Sequence, residues 1–273
     1  MEEKILFLDL DGTLLNDQKE ITAGNRRAIE EALERGHRIV VASGRPLKSS
    51  LAQARRLGLA GEGCYVIAYN GAVIYDCSAE APVFRRTLEL EDLYRLFDEA
   101  RRRGCYIQTY DQDEYVVFEE GGNEEYGRRY CELVGMEYRI IRDVRKDVKE
   151  APVKALFVDY QNPEPLAEMA RWIRENMAGR VDCFPSSPYL LEVVSVGMNK
   201  GAAVAALCGL LDVPAANTVA AGDQANDIAM IRAAGVGAAM VNGTPEVRAA
   251  ADYVTVRDNN HDGIEEVIRK FLL

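Results

Sequence analysis

The chain has 273 residues, and 48% of them are hydrophobic, which is enough for one large core or two smaller ones. Its 33 basic and 44 acidic residues give a net charge of −11, which repels nucleic-acid backbones and anionic membrane surfaces, so neither is expected as a partner. With two histidines, the chain has little material for a histidine-rich zinc site or a Ser-His-Asp triad.

The cysteine pattern predicts a protein whose thiols are reduced. The six cysteines lie far apart, form no C-x-x-C pair and are not preceded by a secretory leader. No apolar stretch approaches the length of a membrane span. We therefore expect a cytoplasmic protein, either a monomer or a small homo-oligomer, that acts on a small molecule.

The first predicted element is a buried strand that ends in two acids. The apolar run at residues 5–8 is typical of a strand covered on both faces, and Gly12 marks the point where the chain turns. Since side chains alternate along a strand, Asp9 and Asp11 point to the same side, about 6 to 7 Å apart at the backbone. The two acids could share one ligand, or they could cap the turn by accepting backbone hydrogen bonds.

Strands and helices then alternate over the first 75 residues. The predicted elements are a helix over 22–36, a strand over 38–43, a helix from Pro46, a strand over 65–69 and a returning strand over 72–75. Asn70-Gly71, between the last two strands, is typical of a hairpin. This alternation predicts a parallel sheet with helices on both faces.

The character of the sequence changes near residue 82, where charge becomes denser and apolar runs become shorter. This segment predicts a separate α+β unit. Alternation resumes with a strand in "YLLEVVS", and the later elements are a helix over 199–211, a strand over 218–222, a helix after Asn226, strands over 236–240 and 252–256, and a closing helix over 263–273. We predict a doubly wound parallel-sheet (Rossmann-like) core over 1–81 and 189–273, with an α+β unit inserted over 82–188.

Ligands in open α/β sheets bind at the carboxyl ends of the strands, so polar residues there are candidates for a site. The candidates are Asp9 and Asp11, the segment Ser43-Gly44-Arg45, Lys200 at a helix start, and Asp223, Asn226 and Asp227 after the strand over 218–222. Together they offer carboxylates for a hard cation, and a hydroxyl, backbone N–H groups and an ammonium for an anion. This set fits a phosphate group and Mg²⁺.

The charges favour binding of metal and phosphate together. With Asp11 protonated, the other three aspartates, a phosphate dianion and Lys200 leave an excess of about −4. Like charges about 4 Å apart cost on the order of 4 kcal/mol per pair at an effective dielectric near 20, so the substrate would be repelled. Because Mg²⁺ halves the excess, we expect it to accompany the phosphate.

Four motifs in chain order resemble those of the haloacid dehalogenase-like phosphohydrolases, in particular the Cof-type branch with a large α+β cap. "DLDGTLL" resembles the first motif, "VASGRP" the second, Lys200 in "MNKG" the third and "GDQANDIAM" the fourth. "YNGAVIYD" and "ADYVTVRDNNHDGI" are similar to accessory segments of the branch. The resemblance spans the chain and implies that residues 82–188 form a cap that selects the substrate.

The resemblance also implies a mechanism. Asp9 would attack the phosphorus and become an aspartyl-phosphate. Asp11 would begin protonated, give its proton to the leaving oxygen and later take one from water. Mg²⁺ would be held by Asp9, the backbone carbonyl of Asp11 and Asp223.

The resemblance assigns the remaining candidates to the phosphate and its surroundings. The phosphoryl oxygens would contact the Ser43 hydroxyl, the backbone amides of Leu10 and Gly44, Lys200, and Asn226. Asp227 would support the metal ligands or Lys200, and Arg45 is a candidate substrate contact. In the alternative, Ser43, Asn226 and Asp227 cap the helices that follow them.

The expected function is a magnesium-dependent phosphatase for a small phosphorylated metabolite such as a sugar phosphate. One alternative is a phosphomutase, which would return the phosphoryl group to the sugar. Another is a non-catalytic, phosphate-responsive module, although such modules are much shorter and lack a base beside the phosphorylated aspartate. The sequence does not identify the metabolite.

Overall fold

The computed structural model describes residues 3–112, 114–121 and 123–273. Its strands are β1 (Ile5–Leu8), β2 (Arg38–Ala42), β3 (Cys64–Ala68), β4 (Val73–Asp76), β5 (Ala81–Arg85), β6 (Ile107–Tyr110), β7 (Val116–Glu119), β8 (Tyr138–Ile141), β9 (Lys154–Val158), β10 (Val181–Ser187), β11 (Leu190–Ser195), β12 (Thr218–Gly222), β13 (Val236–Ala239) and β14 (Tyr253–Val254). Its α-helices are α1 (Ala23–Glu34), α2 (Leu47–Arg56), α3 (Leu90–Arg103), α4 (Glu124–Val134), α5 (Val144–Asp147), α6 (Glu164–Asn176), α7 (Lys200–Leu211), α8 (Ile228–Ala233), α9 (Pro245–Ala250) and α10 (Gly263–Phe271). Among the described helices, none combines the length and the apolar character that a membrane span requires.

The chain forms two compact units. The first consists of the described residues up to Phe84 together with Asn199–Leu273, and the second is Arg85–Met198.

The first unit is built on an eight-stranded sheet in the order β14-β13-β12-β1-β2-β3-β4-β5. The strands from β14 to β3 are parallel, whereas β4 runs antiparallel to β3. Leu6 and Leu8 of β1 share an apolar cluster with α1 and α10, while Ile5 and Phe7 share another with α7. Helices therefore cover both faces of β1, which explains its unbroken apolar run and confirms the predicted α/β fold with a parallel-sheet core.

The second unit is built on a six-stranded sheet in the order β10-β11-β9-β6-β7-β8. Neighbouring strands are antiparallel except for the pair β7 and β8. Leu96 of α3 and Met169 of α6 belong to one apolar cluster with Phe157 and Val193 of the sheet. α3 ends at Gly104, whose φ of 69° is the left-handed conformation that glycine adopts readily.

The predicted position of β11 is wrong. The prediction placed "YLLEVVS" in the parallel sheet, but β11 pairs antiparallel with β10 and β9 in the second unit. Consequently the second unit extends over Arg85–Met198 rather than 82–188. The physical reason is that β11 is central in its sheet and buried over Leu191–Ser195, so its apolar run looks like that of a parallel core strand.

A buried ion pair joins two strands of the second unit. The Nζ of Lys154 in β9 lies 2.6 Å from Oε2 of Glu192 in β11, and the side chains are 1% and 6% exposed. Ser186 donates a hydrogen bond to Oε1 of Glu192 at 2.8 Å, and the Tyr110 ring lies 5.2 Å from the ammonium. Each charge is thus compensated inside the unit.

Replacing Lys154 with alanine should lower the free energy of unfolding of this unit by about 3–5 kcal/mol, because Glu192 is left as an uncompensated buried charge. Trp172, the chain's one tryptophan, lies in α6, so its fluorescence during urea unfolding measures the change. The control is Arg142→Ala, which breaks an exposed ion pair with Glu120 and should leave the midpoint unchanged. Equal midpoints for Lys154→Ala and the wild type would contradict the prediction.

Candidate active site

The candidate site lies at the carboxyl ends of β1, β2 and β12. These strands are adjacent and parallel in the order β12-β1-β2. Asp9 directly follows β1, and its backbone N–H donates to the carbonyl of Ala221 in β12 at 3.1 Å. Ser43 directly follows β2, and Asp223 directly follows β12. Because the strands end at the same edge of the sheet, their polar side chains meet there.

Lys200, the first residue of α7, is fully buried between two carboxylates. Its Nζ lies 2.5 Å from Oδ1 of Asp9 and 2.6 Å from Oδ1 of Asp227. The other oxygen of Asp227 accepts hydrogen bonds from the backbone N–H groups of Asp223 and Gln224, each at 3.0 Å. Asp227 therefore fixes both the ammonium and the turn after β12. Its supporting role in the site stays a prediction.

Two side chains hold the Asp223 carboxylate in place, and the backbone of Gly12 lies against it. Thr13 donates to its Oδ1 at 2.8 Å, and the Gln224 amide donates to its Oδ2 at 3.1 Å. A Cβ on Gly12 would lie 2.5 Å from Oδ2 of Asp223, and Gly12 has a φ of 84°. Only glycine satisfies both conditions at this position.

The acids of the site fit a hard divalent cation. Carboxylate oxygens of Asp9, Asp223 and Asp227 lie within 4.8 Å of one another. Burial raises the pKa of Asp9 to about 8. The positive charge of Lys200 lowers this pKa, whereas the negative charges of Asp227 and Asp223 raise it further. Burial likewise raises the pKa of Asp223. A cation would relieve this repulsion, and oxygen ligands are those that Mg²⁺ prefers.

Both oxygens of Asp227 accept hydrogen bonds, and so do both oxygens of Asp223, so hydrogen bonding alone does not select the ligands within this cluster. The assignment of Asp9 and Asp223 as metal ligands stays a prediction. The carboxylate of Asp11, the third predicted metal residue, is not part of the cluster. Its predicted contribution, through the backbone carbonyl, stays a prediction.

Asp11 is paired with two cations. Its Oδ1 lies 2.8 Å from Nζ of Lys19, and its Oδ2 lies 2.8 Å from Nη2 of Arg45. Partial burial alone would raise the pKa of Asp11, but the hydrogen bonds and charges of Lys19 and Arg45 bring it below its ordinary value. This pairing favours the ionised form of Asp11, and the expectation that Asp11 begins protonated stays a prediction.

Apart from Lys200 at the start of α7, the predicted phosphate-binding residues lie on the loops after β1, β2 and β12. Ser43 is buried, and its Oγ accepts a hydrogen bond from the backbone N–H of Arg45 at 3.1 Å. The Asn226 amide donates to Oδ1 of Asn70 at 3.3 Å. The carbonyl of Leu10 accepts from Leu15 at 2.9 Å, which closes the turn after β1.

Three residues of this region were missed by the sequence prediction. Thr13 contacts Asp223, which is distant in sequence, and Lys19 contacts Asp11 eight residues before it. Sequence spacing alone does not encode such contacts. Asn70 was predicted only as part of a hairpin turn, and the structure shows that it is 2% exposed and contacts Asn226.

The chain is similar to proteins of one enzyme family over its full length. The profile of the haloacid dehalogenase-like hydrolases matches residues 6–268. The chain is 33% identical over 280 residues to the putative phosphatase YxeH of Bacillus subtilis, covering 99% of this chain and 98% of that protein. It is 29% identical over 270 residues to the 5-amino-6-(5-phospho-D-ribitylamino)uracil phosphatase YcsE of the same organism, covering 99% and 96%. A haloacid dehalogenase-like hydrolase structure from Bacteroides thetaiotaomicron has a TM-score of 0.87 and 32% identity, covering 98% of this chain and 99% of that one.

Gly12→Ala should weaken Mg²⁺ binding by at least about tenfold, because the new methyl group displaces the Asp223 carboxylate. The matched control is Gly36→Ala, since Gly36 has a φ of 82° but no neighbour within 4 Å of its hypothetical Cβ. Both variants carry the same backbone strain, and only Gly12→Ala crowds Asp223. Calorimetric titration with Mg²⁺ measures the difference, and equal affinities would contradict the prediction.

Proposed function

This chain belongs to the Cof-type branch of the haloacid dehalogenase-like hydrolases and is a phosphatase, and we propose that it hydrolyses a small phosphorylated metabolite, such as a sugar phosphate, with the help of Mg²⁺. The observation that carries the proposal is the buried pairing of Lys200 with Asp9 and Asp227 next to Asp223. In this proposal, Asp9 is the nucleophile, Lys200 is the cation for a phosphoryl group, and Asp9 and Asp223 are metal ligands at one edge of the sheet.

Asp9 is the proposed nucleophile. Its carboxylate attacks the phosphorus, a P–O bond to Asp9 forms, and the P–O bond to the leaving group breaks. Lys200 contacts one carboxylate oxygen of Asp9 and so fixes the orientation of the side chain. Mg²⁺, held by Asp9, Asp223 and the Asp11 carbonyl, would offset the negative charge of the phosphoryl group.

Asp11 is the proposed acid and base. It gives a proton to the leaving oxygen and then takes one from the water that attacks the aspartyl-phosphate, which releases inorganic phosphate and restores Asp9. Its pairing with Lys19 and Arg45 favours the ionised carboxylate, the form that the second step needs. For the first step, Asp11 must gain a proton, so we propose that one or both cations leave it when the substrate binds.

The proposed phosphate contacts complete the charge balance. The phosphoryl oxygens accept hydrogen bonds from the Ser43 hydroxyl, the amides of Leu10 and Gly44, Lys200 and Asn226. Residues Arg85–Met198 are the proposed cap, and the choice of metabolite is assigned to that unit.

Asp9→Asn should lower magnesium-dependent phosphate release by at least about a thousandfold, because the amide is not a nucleophile. Asp11→Asn should lower it about 10²- to 10⁴-fold through loss of the acid and base. Asp212→Asn is the isosteric control at an exposed helix end and should retain the wild-type rate. The assay measures inorganic phosphate from a panel of phosphorylated metabolites with Mg²⁺ and with a chelator, and full activity of Asp9→Asn would refute the mechanism.

Lys19→Ala should move the alkaline limb of the pH profile of kcat/KM to higher pH. Removing this cation raises the pKa of Asp11, so the protonated acid that the first step needs persists to higher pH. Because Lys19 and Arg45 hold the pKa of Asp11 below its ordinary value, the profile on the best substrate must extend down to about pH 3 to test the direction. An unchanged limb, or one at lower pH, would remove Asp11 as the acid.

A further inference from the structure

Asn70 lies in a buried turn that joins three parts of the site. The turn, Tyr69–Gly71, connects β3 and β4, and Asn70 has the left-handed conformation, with φ 54° and ψ 32°. Asn-Gly turns in hairpins usually face solvent, whereas the Asn70 side chain is 2% exposed.

Asn70 contacts the loops that follow two different strands. Its backbone N–H donates to the carbonyl of Ser43 at 3.1 Å, and its Oδ1 accepts from the Asn226 amide at 3.3 Å. A Cβ on Gly44 would lie 3.0 Å from both Nδ2 and Oδ1 of Asn70, so the amide group packs directly on the Gly44 backbone. Gly44 and Asn226 are both proposed phosphate contacts.

The same turn packs against the helix that carries Lys200. A Cβ on Gly71 would lie 2.3 Å from the carbonyl oxygen of Asn199. Asn199 caps α7 by accepting a hydrogen bond from the backbone N–H of Ala202 at 3.0 Å. The turn therefore contacts the end of α7 from which Lys200 extends into the site.

Stability of the fold alone does not account for an asparagine at this position. Among the described residues, Nδ2 of Asn70 has no hydrogen-bond acceptor, and an unsatisfied buried donor destabilises the fold. Glycine adopts the left-handed conformation without a buried polar group. The side chain is thus retained at a cost in stability, as expected for a residue with a role in the site.

We propose that Asn70 is a positioning residue of the phosphate site: it holds the Gly44 backbone and the Asn226 amide at a fixed separation, so that both donors reach one phosphoryl group. This inference rests on the proposed phosphatase function. It concerns the anion and not the cation, since among the described residues no hydrogen bond joins Asn70 to Asp9 or Asp223.

The test compares Asn70→Gly with Glu80→Gly. At position 70, glycine keeps the left-handed backbone and removes the side-chain amide. Glu80 is an exposed turn residue with a φ of 50°, so Glu80→Gly makes the same backbone change away from the site. Calorimetry with inorganic phosphate in the presence of Mg²⁺, and with Mg²⁺ alone, separates the two affinities. Asn70→Gly should weaken phosphate binding about tenfold and lower kcat/KM about 10- to 100-fold, with Mg²⁺ affinity within about twofold.

A merely structural role would predict a different pattern, namely a lower melting temperature and equal losses of phosphate and Mg²⁺ affinity. That pattern, or phosphate affinity like that of Glu80→Gly, overturns the inference.

Asn226→Ala and the double variant provide a second measurement. If Asn70 acts through Asn226, the combined loss of phosphate affinity is smaller than the sum of the two single losses. Independent, additive losses would overturn the coupling.

The outcomes also separate this inference from the proposed function. A wild-type protein that binds inorganic phosphate through Asn70 but releases none from any substrate refutes the phosphatase and supports the role of Asn70. If the wild type releases phosphate from a substrate and Asn70→Gly releases it at the same rate, the phosphatase is supported and the role of Asn70 is refuted. A wild-type protein that binds no phosphate at millimolar concentration overturns both.

Discussion

Lys200 is buried between Asp9 and Asp227, and the arrangement of the site depends on this pairing. A buried ammonium without partners would cost several kcal/mol, so the end of β1, the turn after β12 and the start of α7 must be in place together. Asp227 extends the constraint, because its second oxygen accepts from the backbone of the turn that presents Asp223. One cation thereby fixes the proposed nucleophile and the proposed metal ligands relative to each other.

The electrostatics of the site oppose those of the chain as a whole. The net charge of −11 disfavours anionic substrates, and the buried acids add to that repulsion, as the raised pKa of Asp9 indicates. Lys200 offsets part of it from below the acids, and Lys19 and Arg45 lie beside Asp11. These three side chains therefore supply local positive charge at the proposed phosphate site.

Much of the core and of the site could be predicted because strand ends carry their signal locally. The apolar run before Asp9 and the strand before Asp223 predict that both acids lie at the carboxyl ends of parallel strands. β11 could not be assigned, since a buried central strand looks the same in either sheet. Asn70 could not be recognised either, because an Asn-Gly pair indicates a turn and does not reveal whether the turn is buried. The protonation of Asp11 depends on Lys19, whose approach follows from the path of a loop.

Gly12 and Gly71 have a consequence for how this enzyme can vary. Each lies with its Cα against another part of the site, the Asp223 carboxylate and the Asn199 carbonyl, so that any side chain would collide with it. Positions of this kind are closed to substitution, and they lie around the reacting groups. A change of substrate preference must then arise from substitutions at other positions, whether in nature or in a directed-evolution library. Such substitutions leave Gly12 and Gly71 and the groups that they contact unchanged.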